Sequence, residues 1–208
     1  MKKILFLLFL SFNFFDSKAV EVFRNKEYHF SFTIPNQWEV MEGKEFKMLV
    51  ELLKKQSGYS NLNALADLYF NESSSHFDYP YVIICFTKND GFKDKSYFET
   101  AVKQLKKISS EFNYDDSLKK YNLSDWSTST HQGEYIIDNA NCSFMTLITS
   151  DIANYGELVT INKTFCFKYG MINVYCYSLK KDLERFKGSF NIILSSFQFE
   201  KDFQIIDA

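Results

Sequence analysis

Between Glu134 and Leu179 the chain passes through four segments dense in β-forming residues: Glu134 to Ile137, Cys142 to Thr149, Glu157 to Lys168 and Met171 to Leu179. Asp138-Asn139, Asn154-Tyr155-Gly156 and Tyr169-Gly170 separate them. Connections this short join antiparallel neighbours, because a parallel pair needs a crossover of a dozen or more residues. The stretch is therefore predicted to be an antiparallel meander. On its third strand Val159, Ile161, Phe165 and Phe167 share one face, with Lys163 the exception among them.

The rest of the chain supplies helices and further strands. Tyr28, Phe30, Phe32 and Ile34 alternate with His29, Ser31 and Thr33, the period of a half-buried strand that Pro35 ends, and Trp38 to Met41 continues as a short second strand. Phe46, Leu49, Val50 and Leu53 recur at helical spacing, and Leu62, Leu65, Ala66 and Tyr69 repeat that pattern more weakly. Asn71 to Ser75 reads as a polar loop. Tyr81 to Thr87, with Val82, Ile83 and Ile84 in succession, reads as a strand covered on both faces. Ser96-x-x-Glu99 has the form of a capping box, and Phe98, Val102, Leu105, Ile108 and Phe112 follow it at helical spacing. Lys103, Lys106 and Lys107 then form a solvated basic face. Asp115 to Gln132 is predicted to be a long loop. Leu183, Phe186, Phe190 and Leu194 define a last helix, and Phe197-Gln198-Phe199 a closing strand. Helices around an antiparallel sheet give an α+β fold, an α/β/α sandwich.

The amino terminus is set apart from this fold. Lys2 and Lys3 precede an apolar run from Ile4 to Phe15, and Ser17-Lys18-Ala19 offers small residues at the two positions a signal peptidase inspects. The run falls short of the roughly 20 residues needed to span a bilayer. Residues 1–19 are predicted to be a signal peptide cleaved after Ala19, and 20–208 a single domain, soluble and periplasmic or secreted. The first cysteine is Cys85, so a lipoprotein-type cleavage would find no acceptor near the junction. Nothing later is apolar for long enough to anchor the chain in a membrane.

Composition narrows the classes of function. The 208 residues are 46% hydrophobic and 24% charged, which excludes a disordered or collagenous chain. With Gly 7 and Pro 2, there is little material for a glycine-patterned phosphate loop. Beyond Ala19 there remain 21 basic and 25 acidic side chains, a net charge of −4, which does not favour nucleic acid or acidic lipid. The aromatic content of 18% accompanies abundant Lys, Asn and Ile and reflects biased genome composition rather than an aromatic binding surface.

Two passages resemble a known group. FSFTIPNQW, Phe30 to Trp38, and ILSSFQF, Ile193 to Phe199, resemble the opening and closing segments of the PsbP-like superfamily. That superfamily includes the extrinsic P subunit of photosystem II, a nuclear-transport factor that binds the GTPase Ran, and many exported bacterial proteins of unassigned role. Together the passages cover 16 residues, all of fold-type character. Gln37 stands where members commonly have Gly before the Trp. The resemblance implies an antiparallel sheet flanked by helices and a non-enzymatic binding or assembly-accessory module. It carries over no metal-, cofactor- or partner-binding residue.

No constellation names a reaction. His29, His76 and His131 lie in different segments with no HxH or HxxxH spacing, and His76-Phe77-Asp78 reads as surface loop. Asp90, Asp115 and Asp116 lack a ligand-loop pattern around them. A Gly-x-Ser-x-Gly elbow is missing, although a catalytic triad need not be close in sequence. Asn71, Asn122, Asn141 and Asn162 begin Asn-x-Ser/Thr triplets, which matter only in a eukaryotic host. Trp38 reads as a core residue. Trp126 reads as the anchor of the long loop and as the candidate contact for a protein partner or small ligand.

Four cysteines in an exported chain permit two bridges in three connectivities. If Tyr169-Gly170 is a two-residue turn, Cys166 faces Asn173, Cys176 faces Lys163, and the two sulfurs project from opposite faces. In the preceding hairpin, a register in which paired numbers total 308 sets Cys142 opposite Cys166, and one totalling 307 does not. A Cys142–Cys166 disulfide and reduced thiols at buried Cys85 and Cys176 are both compatible with the sequence. The leading functional expectation is an exported binding module without a cofactor. The alternatives are a secreted hydrolase with dispersed catalytic residues and a secreted factor acting on a host cell.

Overall fold

The computed structural model of the chain describes residues 21–41, 46–48, 50–51, 64–70, 79–88, 94–111, 130–132, 135–152 and 156–205. A three-stranded antiparallel sheet contains β1 (Glu21–Asn25), β2 (Phe30–Ile34) and β11 (Gln198–Phe199), in the order β1-β2-β11. The larger sheet contains β3 (Trp38–Met41), β4 (Ala64–Phe70), β5 (Tyr81–Lys88), β6 (Thr130–Gln132), β7 (Ile136–Asp138), β8 (Ser143–Ile152), β9 (Gly156–Phe167) and β10 (Gly170–Leu179). Its order is β3-β4-β5-β10-β9-β8-β6, with β7 also on β8. The meander β8-β9-β10 forms as its short connections require, antiparallel throughout.

Strand alternation assigns each face of the large sheet to a different helix. Phe165 and Phe167 of β9, Ile172, Val174 and Cys176 of β10, and Val82 and Ile84 of β5 share one face. They pack against Phe186, Phe190, Ile193 and Leu194 of helix α2 (Leu183–Ser196). Phe30, Phe32 and Ile34 of the small sheet close the same core, and Phe197 stacks between Phe30 and Phe165 at 4.9 and 4.4 Å. On the opposite face Cys166, Phe144 and Met171 meet Phe98, Val102 and Leu105 of helix α1 (Lys95–Glu111). A helix on each side of the sheet makes the α/β/α sandwich expected from the sequence. Fully burying a large apolar side chain contributes about 1.5–3 kcal/mol, so the α2 core is a principal source of stability.

Several local features differ from the sequence reading. Ala64–Phe70 is a strand between β3 and β5, not the weak helix that Leu62, Leu65, Ala66 and Tyr69 suggested. Strand neighbours on both sides override a spacing shared by only four residues, and Leu68 is fully buried there. β1, too polar to show a strand period, forms by pairing along the whole of β2. Thr130–Gln132 pairs with β8 rather than continuing the long loop, whose 115–129 portion lies outside the described residues.

Helix α1 begins one residue before Ser96, and its cap is Asp94. The Tyr97 amide donates to Asp94 Oδ1 at 3.2 Å and the Ser96 hydroxyl donates to the same oxygen at 2.6 Å. Those two donors, the hydroxyl first, hold the Asp94 carboxyl below its usual range. The β9–β10 turn is Lys168-Tyr169, with Phe167 facing Gly170, so the register is displaced by two from one centred on Tyr169-Gly170. Cys166 faces Met171 and Cys176 faces Ile161. A displacement of two preserves faces, so the two sulfurs still point to opposite sides. The departure at Gln37 also finds its physical meaning: φ is 67° there, the left-handed conformation that glycine adopts most easily.

Candidate binding cleft

The cleft originates where helix α2 ends. Ser195 Oγ donates to the Asn191 carbonyl at 2.6 Å, and Ser196 Oγ donates to Ile192 O at 2.6 Å, the back-bonding typical of serine on a helix. Ser196 Oγ also accepts from the Thr33 amide at 2.8 Å, stitching the helix end to β2. The chain then turns through Phe197 into β11, which places Gln198 opposite Ser31. Across β2, Ser31 faces Arg24 and Thr33 faces Val22. The small sheet thus has an apolar face, with Phe23, Phe30 and Phe32, and a polar face carrying the row Arg24, Ser31 and Gln198.

That polar face is one wall of a cleft of about 430 Å³, completed by Ser195, Ser196 and Asn141. Asn141 arrives on the turn between β7 and β8. Its amide and side-chain nitrogen donate to the Asp138 carboxylate at 3.1 and 2.8 Å, and the side-chain bond is the chief reason the Asp138 carboxyl sits below its ordinary range. Arg24 is the one charged side chain among the cleft's lining residues. Ser31 is 7% exposed.

A smaller cavity of about 120 Å³ adjoins the cleft and shares Asn141, Phe197 and Gln198 with it. Cys142, Cys166, Gln204 and Ile205 are among its other lining residues. On the other edge of β1 an open groove of about 440 Å³ runs along Glu21 to Arg24 toward Trp38 and Glu39 of β3. Arg24 therefore touches both openings.

The residues singled out from the sequence do not gather in the cleft as a set. Cys142 and Cys166 lie beside it, both buried, and Cys166 N donates to Cys142 O at 2.9 Å. No disulfide joins any of the four cysteines in the structure. Burial, with Cys142 adjacent, pushes the Cys166 thiol up to about 12. Trp38 is a core residue, 4% exposed and edge-on to Phe190. Trp126, His76, Asp90, Asp115 and Asp116 lie outside the described residues. His131 falls on β6.

His29 is committed to holding the carboxyl-terminal segment. Its Nδ1 donates to Glu200 Oε2 at 2.8 Å, its ring stacks on Phe203 at 3.8 Å, and its carbonyl accepts from the Glu200 amide. Among the described residues no hydroxyl or thiol hydrogen-bonds to that ring, and no group of three His, Cys, Asp or Glu side chains is placed to hold a metal ion. Sequence reasoning passed over Arg24, Ser31, Asn141 and Ser196. They are common polar residues from four separate segments, and only the topology unites them.

No protein-family model matches the chain, and no curated protein sequence matches it. Solved structures do. LpqN, involved in cell envelope biogenesis of Mycobacterium tuberculosis, is 8% identical, with 88% of this chain and 86% of that chain covered and a TM-score of 0.48. The solution structure of cyanobacterial PsbP (CyanoP) from Synechocystis sp. PCC 6803 matches with a TM-score of 0.53 at 8% identity, over 88% of this chain and 93% of that chain. The fold built by these sheets and helices is thus similar to that of PsbP.

Proposed function

We propose that the chain is an exported, non-enzymatic binding or accessory module that takes a small carboxylate- or phosphate-bearing ligand in the cleft between the small sheet and the end of α2. The observation that supports this reading is the polar row Arg24, Ser31 and Gln198 facing a concavity of about 430 Å³, within the usual range of small-ligand sites. A guanidinium among neutral hydroxyl and amide groups suits a carboxylate or phosphate that accepts two parallel N–H bonds. Export is supported by the Lys2-Lys3, apolar and Ser17-Lys18-Ala19 sequence, and among the described residues no helix is long and apolar enough to cross a membrane.

Titration of the labelled protein with citrate and with inorganic phosphate tests the cleft. Saturable amide shifts at Ser31, Thr33 and Gln198 are expected with at least one of them. Arg24→Gln should weaken binding by at least about tenfold, since a hydrogen bond to a charged group contributes about 1.5–3 kcal/mol. No saturable shift with either anion, or equal affinity in Arg24→Gln, removes the proposal. Amino-terminal sequencing of the exported protein should begin at Val20, and an intact Met1 in the membrane fraction would oppose export.

A further inference from the structure

The β8–β9 register pairs Ser143 with Phe165, Met145 with Lys163 and Leu147 with Ile161. One step beyond the first of these pairs come Cys142 and Cys166, joined by their 2.9 Å backbone hydrogen bond. This is the register of 308 that the sequence left undecided. Both side chains belong to one buried cluster under α1 with Phe98, Val102 and Phe144. Cys142 stands one residue outside β8 with a left-handed φ of 46°, next to a ladder whose directly opposed, doubly hydrogen-bonded residues have Cα atoms about 5.5 Å apart. That separation falls within the roughly 4.4–6.8 Å that a disulfide spans.

The same register eliminates every other pairing. Cys176 faces Val82 and Ile161, on the α2 side of the sheet, whereas Cys85 faces Asn173 on the α1 side with Cys166. A bridge from Cys176 to Cys85, Cys142 or Cys166 would have to pass through the sheet. Cys85 on β5 is two strands from Cys166, about 10 Å at the ordinary strand spacing. That exceeds the roughly 7 Å limit for bridging, and Cys142 lies farther still.

We propose that Cys142 and Cys166 close into a cross-strand disulfide in the mature protein, tying the β7–β8 turn to β9, while Cys85 and Cys176 remain thiols. The two thiols give up two protons and two electrons as the S–S bond forms. The acceptor is a small-molecule disulfide or a thiol–disulfide oxidoreductase, whose own disulfide becomes two thiols. The link would fix the backbone of Asn141 and Cys142, which line the cavity beside the cleft. It does not depend on the cleft's ligand.

The test is to reduce and unfold the full chain, refold it in a mixture of oxidised and reduced glutathione, alkylate what remains under denaturing conditions and digest with trypsin. Lys163 separates the two cysteines, so each of the four falls on its own tryptic peptide. Expected are alkylated Cys85 and Cys176 and one peptide joining Tyr121–Lys163 to Thr164–Lys168. Four alkylated cysteines, or a link that includes Cys85 or Cys176, overturns the proposal. The Cys85→Ala, Cys176→Ala double variant gives a second reading: it should refold with no alkylatable thiol, and two alkylatable thiols in it overturn the proposal equally.

Discussion

The Lys163 ammonium lies 3.4 Å from the carbonyl oxygen of Leu194, so a residue in the middle of β9 supports the end of helix α2. It also sits over the Phe165 ring at 4.8 Å. This explains the one cation on an otherwise apolar face: its stem packs while its head meets the negative end of a helix. Burial nonetheless pulls its pKa below 10.5, with Asp138 opposing the shift only partly. Keeping this half-buried group charged therefore costs the folded state something.

Lys163→Met retains the stem and removes the charge. At neutral pH it is expected to leave stability unchanged or to raise it by less than about 1 kcal/mol, whereas Lys163→Ala lowers it through lost packing. The sign with pH follows from a depressed folded-state pKa. The penalty in the native protein is full below that pKa and disappears as pH approaches 10.5, so any advantage of Lys163→Met should shrink on that approach. Denaturant melts at neutral and alkaline pH measure it, and an advantage that grows with pH would contradict the assignment.

Asp94, not Ser96, carries the cap of α1. Thermal melts should show Asp94→Ala lowering the midpoint more than Ser96→Ala, with Asp94→Asn between Asp94→Ala and the native chain. Because the folded-state pKa is lowered from 3.8, the contribution is present above that value and lost as pH falls through the folded pKa. The gap between Asp94→Ala and the native protein should close at strongly acidic pH.

Gln37 occupies the left-handed region between β2 and β3. A residue with a Cβ costs about 1–2 kcal/mol there, and glycine returns part of that gain through its greater freedom when unfolded. Gln37→Gly should therefore stabilise by up to about 1 kcal/mol in urea titrations. Loss of stability would mean that side-chain contacts of Gln37 outweigh its backbone strain.

The sequence was most legible where one period ran without interruption. Phe30, Phe32 and Ile34 announced β2, and Phe186, Phe190 and Leu194 announced α2. Reading failed where pairing rather than pattern decides structure. The EVFRN stretch of β1 has little alternation to display, and Ala64–Phe70 showed a false helical spacing. Gly170 invited a turn one residue too late, because glycine opens a strand there instead of closing a hairpin. The cleft was invisible for a related reason. Arg24 and Gln198 fall in one row only because each pairs with Ser31 from opposite sides of β2, and no local rule connects residues that far apart.

The two tryptophans allow the proposed partner contact at Trp126 to be tested without knowing the partner. Trp38 is buried against Phe190, so a Trp126→Phe chain should emit at short wavelength and resist quenching by acrylamide. If Trp126 is an exposed anchor for a partner or ligand, the emission lost in this variant is red-shifted and readily quenched. The thermal midpoint should then hold within the equivalent of about 0.5 kcal/mol, as for surface substitutions in general. Trp38→Phe provides the contrast: it should lower the midpoint, because it leaves a void beside Phe190 in the α2 core. A blue-shifted, protected lost component together with a lower midpoint in Trp126→Phe would make Trp126 a packing residue and end its role as a contact.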